Sequence, residues 1–320
     1  MRTLSSLPKL LALGIVACAA PACGREPSTG PCASVEASGG MTAQPLSAAD
    51  GDCLETYAWE PDGQDARAVV VVAHGLHDHG RRYGGLAAAL NEVGVAVYAF
   101  DQRGHGASGG DPQRFDSIDQ LVGDLSDVAA LARAAHPGLP VFYYGHSMGG
   151  LVVAHATARA SGELAGSIVS SAALAFSDDT GPFKRRVVGL LSALFPGMGL
   201  DEVDPDDVVS SPEARAALAE DDVILRDPLP ARTADTLLDG IAAIDEQMEA
   251  LRAPLLILHG TADTLTEVKG SEALAERAGS SDKTLRLFDG LRHDMLHEDT
   301  GAEVAQAIVE WVSARVPTEG

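Results

Sequence analysis

Positive charge is scarce in this 320-residue chain. It has 23 Lys and Arg residues against 46 Asp and Glu, a formal net charge of −23, and Lys occurs only at positions 9, 184, 269 and 283. Such an acidic surface repels phosphate backbones and anionic headgroups, which argues against a nucleic-acid partner and against electrostatic adhesion to anionic lipid. With 46% apolar and 22% charged residues, the composition is that of a globular protein.

Long apolar runs are also absent after the first 23 residues, so no later segment is predicted to span a bilayer. Residues 1–23 combine Arg2 and Lys9 with a short apolar run at 10–17 and a small-residue end. This pattern is typical of a secretory signal peptide, and the run is too short for a transmembrane helix. We therefore expect an exported protein; the alternative is a buried N-terminal helix.

Cysteine is rare, and two of the four cysteines lie in this leader. Residues 15–18 (IVAC) resemble a bacterial lipobox, in which the cysteine is diacylated and becomes the first residue. Residues 20–23 (APAC) are a poorer version that also fits ordinary cleavage. We expect a membrane-anchored lipoprotein with Cys18 as the preferred anchor and Cys23 as the alternative; without an anchor, the protein would be periplasmic or secreted.

The other two cysteines suggest a disulfide. Lipidation of Cys23 leaves Cys32 and Cys53 as an even pair, whereas lipidation of Cys18 leaves an odd number. An oxidising compartment would permit a bond between Cys32 and Cys53. The alternative is that Cys23, Cys32 and Cys53 are incidental free thiols.

Segments of two kinds alternate after residue 46. Residues 24–46 are rich in Pro, Gly, Ser and Ala and predict a flexible tether, which leaves residues 47–316 as one folded domain. In that domain, apolar strand patterns alternate with helical patterns, which predicts an α/β fold with a mostly parallel sheet covered on both faces. The interval of about 176–249 has no strand pattern and predicts an inserted helical cap. Strands are expected at 54–59 (an edge), 68–73, 95–100, 141–145, 167–171, 254–258 and 284–288.

The strongest chemical signal is Gly-His-Ser-Met-Gly-Gly at residues 145–150, between a predicted strand and a predicted helix. G-x-S-x-G in this context indicates a nucleophile elbow, a sharp turn that presents the serine hydroxyl at a helix N-terminus. Ser147 is the predicted nucleophile. The backbone N–H of Met148 is one predicted donor to the oxyanion.

The second oxyanion donor is expected from the loop that follows strand 68–73. That loop reads His-Gly-Leu-His-Asp-His-Gly at residues 74–80, and we assign the donor to the backbone N–H of Leu76. Its three histidines also suggest zinc, but no further well-spaced ligand set accompanies them. We interpret His77 and His79 as packing or polar-network residues.

An acid and a base follow in the chain order that this type of site requires. Asp263 comes just after strand 254–258, and His293 lies in the loop after strand 284–288. Because parallel strands end at the same edge of a sheet, these two residues should meet Ser147 there. His297 is a rival base four residues further on. A turn carboxylate and a surface histidine are the alternative interpretations of Asp263 and His293.

Residues 100–108 (FDQRGHGAS) form another glycine-containing turn after a strand. No G-K-[ST] follows, so the turn does not fit a phosphate-binding loop. We interpret it as structural, with Asp101 and Arg103 bracing the turn at Ser147.

Together these motifs resemble the monoacylglycerol lipase group of α/β-hydrolases, which is often classified with lysophospholipases and the serine aminopeptidase S33 domain. The resemblance covers roughly residues 46–315 and is carried most specifically by HGLHDHGRRY and DKTLRLFDGLRHDMLHE. It implies the α/β-hydrolase fold and the same roles for Ser147, Asp263 and His293. The mammalian pattern has a cysteine shortly after the acid, where this chain has Thr266.

The resemblance implies hydrolysis of a monoacylglycerol or a similar single-chain lipid ester, with a lipid anchor as a possible route to the membrane. In the expected cap, residues 184–200 predict a helix with one broad apolar face, which comprises Val187, Val188, Leu191, Leu194 and Phe195. Either this face packs on the core, or part of it stays exposed, guards the acyl tunnel over Ser147 and rests on lipid. The mechanism needs no metal or organic cofactor. Alternatives are a lysophospholipase or short-chain esterase, an S33-type peptidase, and a non-hydrolytic protein of the same fold.

Overall fold

One mixed sheet forms the centre of the computed structural model, which describes residues 32, 35–38, 40–160, 162, 164–177, 180–200 and 203–316. The eight strands are β1 (Met41–Ser47), β2 (Cys53–Trp59), β3 (Ala68–Ala73), β4 (Val95–Phe100), β5 (Val141–His146), β6 (Gly166–Ser170), β7 (Leu255–Gly260) and β8 (Lys283–Phe288). Their order across the sheet is β1-β2-β4-β3-β5-β6-β7-β8. The pairs β1–β2 and β2–β4 are antiparallel, and the others are parallel.

Helices cover both faces of this sheet. The α-helices are α1 (Gly84–Asn91), α2 (Ile118–Ala135), α3 (Met148–Arg159), α4 (Pro182–Leu194), α5 (Pro205–Val208), α6 (Pro212–Glu220), α7 (Ala231–Asp245), α8 (Val268–Arg277) and α9 (Gly301–Ser313). α1 and α9 pack on one face, and α2, α3 and α8 pack on the other. The predicted α/β class is therefore confirmed.

The central strand β3 shows why continuous apolar runs predicted this arrangement. Val69 and Val71 belong to the core under α2 and α3, whereas their neighbours Val70 and Val72 belong to the core under α1 and α9. Because successive side chains of a strand point to opposite faces, a strand covered on both faces must be apolar at every position.

The N-terminal edge of the sheet differs from the expectation. β1 begins at Met41, inside the segment predicted as a tether at 24–46, so the folded domain starts before residue 47. Consequently β2 is not an edge strand: it lies between β1 and β4. β1 contains Pro45 and exposes most of its side chains, which is tolerated at an edge and weakens the sequence signal.

A disulfide fastens the chain near this edge. Cys32 is bonded to Cys53, the first residue of β2, with 5.5 Å between their Cα atoms. This is the pairing expected for an exported protein. Cys18, Cys23 and the rest of the predicted signal peptide lie outside the described residues.

In its described part, the interval between β6 and β7 holds four α-helices, α4 to α7. They fill the segment that was expected to form a cap. α4 packs mainly against α7, and α7 packs against α3, the helix that follows Ser147. Within the described residues, no helix is both long and apolar enough to cross a bilayer.

Candidate active site

The turn after β5 holds Ser147 in a rare backbone conformation, with φ 53° and ψ −116°. Glycines make this turn possible. A Cβ at residue 145 would lie 2.2 Å from the carbonyl oxygen of Gly149, and a Cβ at residue 149 would lie 2.1 Å from that of Ala73. Positive φ at a non-glycine residue costs of order 1–3 kcal/mol and persists where the surroundings enforce it. The surrounding structure therefore holds Ser147 in a strained conformation.

Two backbone N–H groups were predicted to stabilise an oxyanion beside this serine. Met148 is the first residue of α3, and the first amides of a helix have no acceptor within the helix. Leu76 lines the same cavity as Ser147. The adjacent Gly75 is packed so closely that an added Cβ would be 3.3 Å from the Cβ of Ser147. The structure thus brings both predicted donors to the serine turn.

The predicted acid and base are hydrogen-bonded to each other. Nδ1 of His293 lies 2.8 Å from Oδ2 of Asp263. Asp263 follows β7, and His293 follows β8, which pairs with β7 in parallel. Gly260 allows the two loops to approach, since a Cβ there would lie 2.3 Å from the carbonyl oxygen of Leu291. His293 and Ser147 both line one cavity.

Burial and charge tune this pair in opposite directions. Burial disfavours ionisation of Asp263, yet His293 and a hydrogen bond from His259 hold the pKa of this carboxyl well below its usual 3.8. Burial likewise disfavours the imidazolium of His293, yet the Asp263 carboxylate raises the pKa of His293 above its ordinary 6.5. An ionised carboxylate beside an imidazole of raised pKa is suited to accept a proton from a hydroxyl and hold it for a short time.

The rival base, His297, is engaged elsewhere. Its Nδ1 lies 2.7 Å from Oδ1 of Asp294, and its Nε2 lies 3.0 Å from the carbonyl oxygen of Arg82. Burial opposes its charge, but Asp294 raises the pKa of His297. Both ring nitrogens therefore serve a structural network, and the geometry favours His293.

Residues 100–108 do brace the site, but not as predicted. Asp101 accepts hydrogen bonds from the N–H of Gly80 at 2.8 Å and from the hydroxyl of Tyr57 at 2.7 Å. Arg103 binds both carboxylate oxygens of Asp124, at 2.8 and 2.7 Å. These contacts hold the loop before α1 and the helix α2, not the turn at Ser147 itself.

The histidines of the 74–80 loop have polar and packing roles. Nε2 of His79 lies 2.9 Å from Oδ2 of Asp221 in the cap. The carbonyl oxygen of His77 accepts a hydrogen bond of 2.9 Å from the N–H of Leu225. The described residues contain no cluster of three or more His, Cys, Asp or Glu able to hold a metal ion. This loop therefore joins the predicted oxyanion hole to the cap.

The cavity at Ser147 has a volume of about 290 Å³. Its walls were not predictable in detail, since eight of the 18 lining residues come from the cap. The apolar lining comes from the two loops of the core and from the cap segment 203–226, and comprises Leu76, Val203, Pro205, Val208, Leu218, Ala219, Ile224, Leu225 and Leu265.

One part of the cavity wall is strongly polar. Arg82 donates from Nη1 to Oδ1 of Asp78 at 3.0 Å and from Nη2 to Oδ2 of Asp294 at 2.8 Å. All three residues line the cavity together with Ser147 and His293. Burial opposes these charges, but Arg82 helps to lower the pKa of Asp78 to about 2 and that of Asp294 well below its usual value. This network was not predicted from the sequence.

A sheet of this topology, a strained serine between strand and helix, and an Asp-His pair at the next strand ends define an α/β-hydrolase with the site of a serine ester hydrolase. The family model "Serine aminopeptidase, S33" matches residues 64–300, and the chain belongs to that family.

Relatives and solved structures agree with this assignment. A "Monoacylglycerol lipase" of Mycolicibacterium smegmatis is 36% identical over 254 residues, which cover 79% of this chain and 90% of the relative. The human "Monoglyceride lipase" is 32% identical over 277 residues, 85% of this chain and 90% of the relative. The crystal structure of the monoacylglycerol lipase of Paleococcus ferrophilus superposes with a TM-score of 0.72 at 31% identity, covering 82% of this chain and 99% of that one.

Proposed function

We propose that this protein hydrolyses monoacylglycerols through an acyl-enzyme on Ser147. The observation that carries the proposal is the 2.8 Å hydrogen bond between His293 and Asp263, at a cavity that the strained Ser147 also lines. The substrate class is taken from the relatives named monoacylglycerol or monoglyceride lipase.

Each residue then has a defined step. His293 accepts the hydroxyl proton as Ser147 attacks the ester carbonyl, and Asp263 stabilises the imidazolium. The N–H groups of Leu76 and Met148 donate to the oxyanion of the tetrahedral intermediate. His293 then protonates the leaving alcohol, and water repeats the sequence to release the fatty acid.

The cavity favours a neutral head group over a phosphate. Its apolar walls suit an acyl chain, and its polar part holds two carboxylates, Asp78 and Asp294, around the guanidinium of Arg82. The other lining arginine, Arg226, donates from Nη2 to backbone carbonyl oxygens of the cap. Because Arg82 is directed at both carboxylates, a phosphate would meet negative charge there, whereas glycerol hydroxyls can donate to it. This supports a monoacylglycerol over a lysophospholipid.

A substrate panel tests this choice. Purified protein should hydrolyse a monoacylglycerol with a kcat/KM roughly 100-fold above that for the lysophosphatidylglycerol of equal acyl chain, since juxtaposed like charges cost several kcal/mol. Matching p-nitrophenyl esters measure the chemistry without a lipid head group, and aminoacyl amides measure peptidase activity. Equal rates on the phospholipid would contradict the head-group assignment, and preference for the amides would favour a peptidase.

The cap also offers an apolar surface for a lipid aggregate. Phe183, Leu190, Leu194 and Phe195 are 78%, 59%, 61% and 57% exposed, and the first three lie at helical spacing along α4. Leu191, which sequence analysis had grouped with Phe195 on this surface, packs against the core instead. α4 contributes no described residue to the lining of the cavity, so it does not form the expected roof over Ser147.

We further propose that this surface rests on a lipid interface and that the export leader keeps the protein there. A diacylated Cys18, or Cys23 in its place, would anchor the chain to a bacterial membrane, and the segment before β1 would supply reach. The net charge of −23 opposes binding to anionic lipid, so the apolar contact and the anchor must both contribute.

Replacing Leu190 and Leu194 together by Ser should reduce turnover of long-chain monoacylglycerol in neutral vesicles but leave hydrolysis of a soluble short-chain ester nearly unchanged. The reason is that these side chains lose apolar contact with the vesicle while the cavity is untouched. The assay compares initial rates on both substrates.

Leu287→Ser is the matched control, because Leu287 is also exposed, at 40%, but lies on β8. It should alter neither rate. An equal loss on both substrates in the α4 double variant would show that these residues support the fold rather than an interface.

A further inference from the structure

A second histidine, His259, contacts the proposed catalytic acid. Its Nε2 lies 3.1 Å from Oδ2 of Asp263, and both side chains are 0% exposed. His259 is the next-to-last residue of β7, and one turn of chain separates it from Asp263. In the sequence, His259 and Asp263 belong to one short segment, residues 259–263 (HGTAD). The acyl-enzyme mechanism does not require His259 in any step.

The partners of His259 fix which ring nitrogen carries the hydrogen. Asp263 is ionised and can only accept, so Nε2 of His259 must be the donor to it. Nδ1 lies 2.7 Å from the hydroxyl of Ser271, a group that can either donate or accept. Ser271 belongs to α8 and is fully buried. A chain of hydrogen bonds therefore runs from Ser271 through His259 to the same carboxylate that His293 contacts.

The two oxygens of Asp263 are held by different groups. Oδ1 accepts from the backbone N–H groups of Leu265 at 2.8 Å and Thr266 at 3.0 Å. Oδ2 accepts from side chains: His293 at 2.8 Å, the hydroxyl of Thr266 at 2.7 Å and His259 at 3.1 Å. The oxygen that faces the base is thus the one that His259 and the Thr266 hydroxyl also contact.

We infer that His259, itself held by Ser271, is a positioning residue that helps to hold Oδ2 of Asp263 toward Nδ1 of His293 and shares its negative charge. The inference rests on the proposed serine mechanism and adds to it a residue that touches neither substrate nor reacting atoms. Charge sharing matters because His293 must first gain the serine proton and then release it to the leaving alcohol.

The direction of the effect follows from the hydrogen bonds. Without the donor from His259, Oδ2 carries more negative charge and stabilises the imidazolium more strongly, which raises the pKa of His293 further. The base is then protonated over a wider pH range. The other titratable groups near His293 stay in place: His146, whose ring centroid is 4.7 Å away, and Asp294.

Three variants of the full chain test the inference, assayed on a soluble short-chain ester across pH. His259→Leu should lower kcat by roughly 10- to 100-fold, the range expected for one hydrogen bond to a charged group, with KM near that of the wild type. It should also move the acid limb of kcat/KM upward by roughly half a pH unit or more. His259→Gln, which keeps a side-chain N–H, should recover most of both effects. Ser271→Ala should move the limb in the same direction by less.

His155→Leu is the matched control, since His155 is a buried histidine that bonds the carbonyl oxygen of Gly240 at 2.9 Å. It should lower thermal stability without moving the limb. An unmoved limb in His259→Leu and Ser271→Ala, or a Gln variant as impaired as the Leu variant, would overturn the inference. If His259→Leu does not fold, the inference is decided by the pH at which the acid limb of kcat/KM lies in His259→Gln and in Ser271→Ala.

Measurements on the wild type distinguish failure of this inference from failure of the proposed function. The wild type must first be labelled by a fluorophosphonate and show an acid limb. If it shows neither, the serine mechanism itself fails, which is a different result from a normal limb that the His259 variants leave in place.

Discussion

Replacement of Ser147 by Ala is expected to lower kcat by roughly 10⁴- to 10⁶-fold, because members of a catalytic triad act as a unit. It should also abolish covalent labelling by a fluorophosphonate, which the wild type should accept at this hydroxyl. The structural reason is that Ser147 is the only serine, threonine or cysteine among the described residues that line the cavity. It occupies a strained turn, at φ 53°, that Gly145 and Gly149 make possible. Activity-based labelling and steady-state kinetics measure the two effects.

Ser126→Ala is a suitable control, since Ser126 lies on α2 and donates to the carbonyl oxygen of Val122. It should be labelled and active like the wild type. EDTA should leave the activity of the wild type unchanged, as the proposed steps use only side chains and backbone amides. Turnover by Ser147→Ala, or loss of wild-type activity in EDTA, would rule out the serine mechanism.

The central part of the fold was predictable because its strands are buried on both faces. β3 and β4 are apolar at every position, a pattern that is typical of strands covered on both faces. The edges were less predictable because an edge strand is not buried on both faces. β1 exposes most of its side chains and contains Pro45, so its composition resembles a tether, and its pairing with β2 depends on a tertiary contact that no local pattern encodes.

The candidate triad was predictable because each of its residues sits just after a parallel strand. Ser147, Asp263 and His293 follow β5, β7 and β8, and parallel strands deliver their ends to one edge. The groups around them were not predictable. His259 and Ser271 meet only when α8 packs on β7, and Asp78, Arg82 and Asp294 meet only when two distant loops fold together.

The sequence predicted the cap as an insertion, but it did not predict which side chains of the cap are exposed. The apolar pattern of α4 indicated an amphipathic helix, and it placed Leu191 and Phe195 on the same face. In the structure that face is divided, with Leu191 against the core and Phe195 in solvent. A hydrophobic period shows that a helix has an apolar side, but which part of that side is covered depends on the position of its neighbour, here α7.

The assignment of His293 as the base leads to a second prediction with a large expected effect. His293→Ala should reduce kcat about as severely as Ser147→Ala, by roughly 10⁴-fold or more, whereas His297→Ala should be much milder. His293 bonds the buried Asp263 and lines the cavity, while both nitrogens of His297 are bonded to Asp294 and Arg82. His297→Ala should therefore act mainly on thermal stability.

The pH dependence separates the two histidines further. Burial lowers and Asp263 raises the pKa of His293, with a net rise above 6.5, and a base must be unprotonated to accept the serine proton. The kcat/KM of the wild type should therefore fall as the pH drops through a midpoint above 6.5, and His297→Ala should keep a limb of this kind. If His297→Ala removed the limb while His293→Ala retained it, His297 would be the base. The observed geometry argues against that result, since a base whose two nitrogens are already bonded must break one of those bonds before it can reach a hydroxyl.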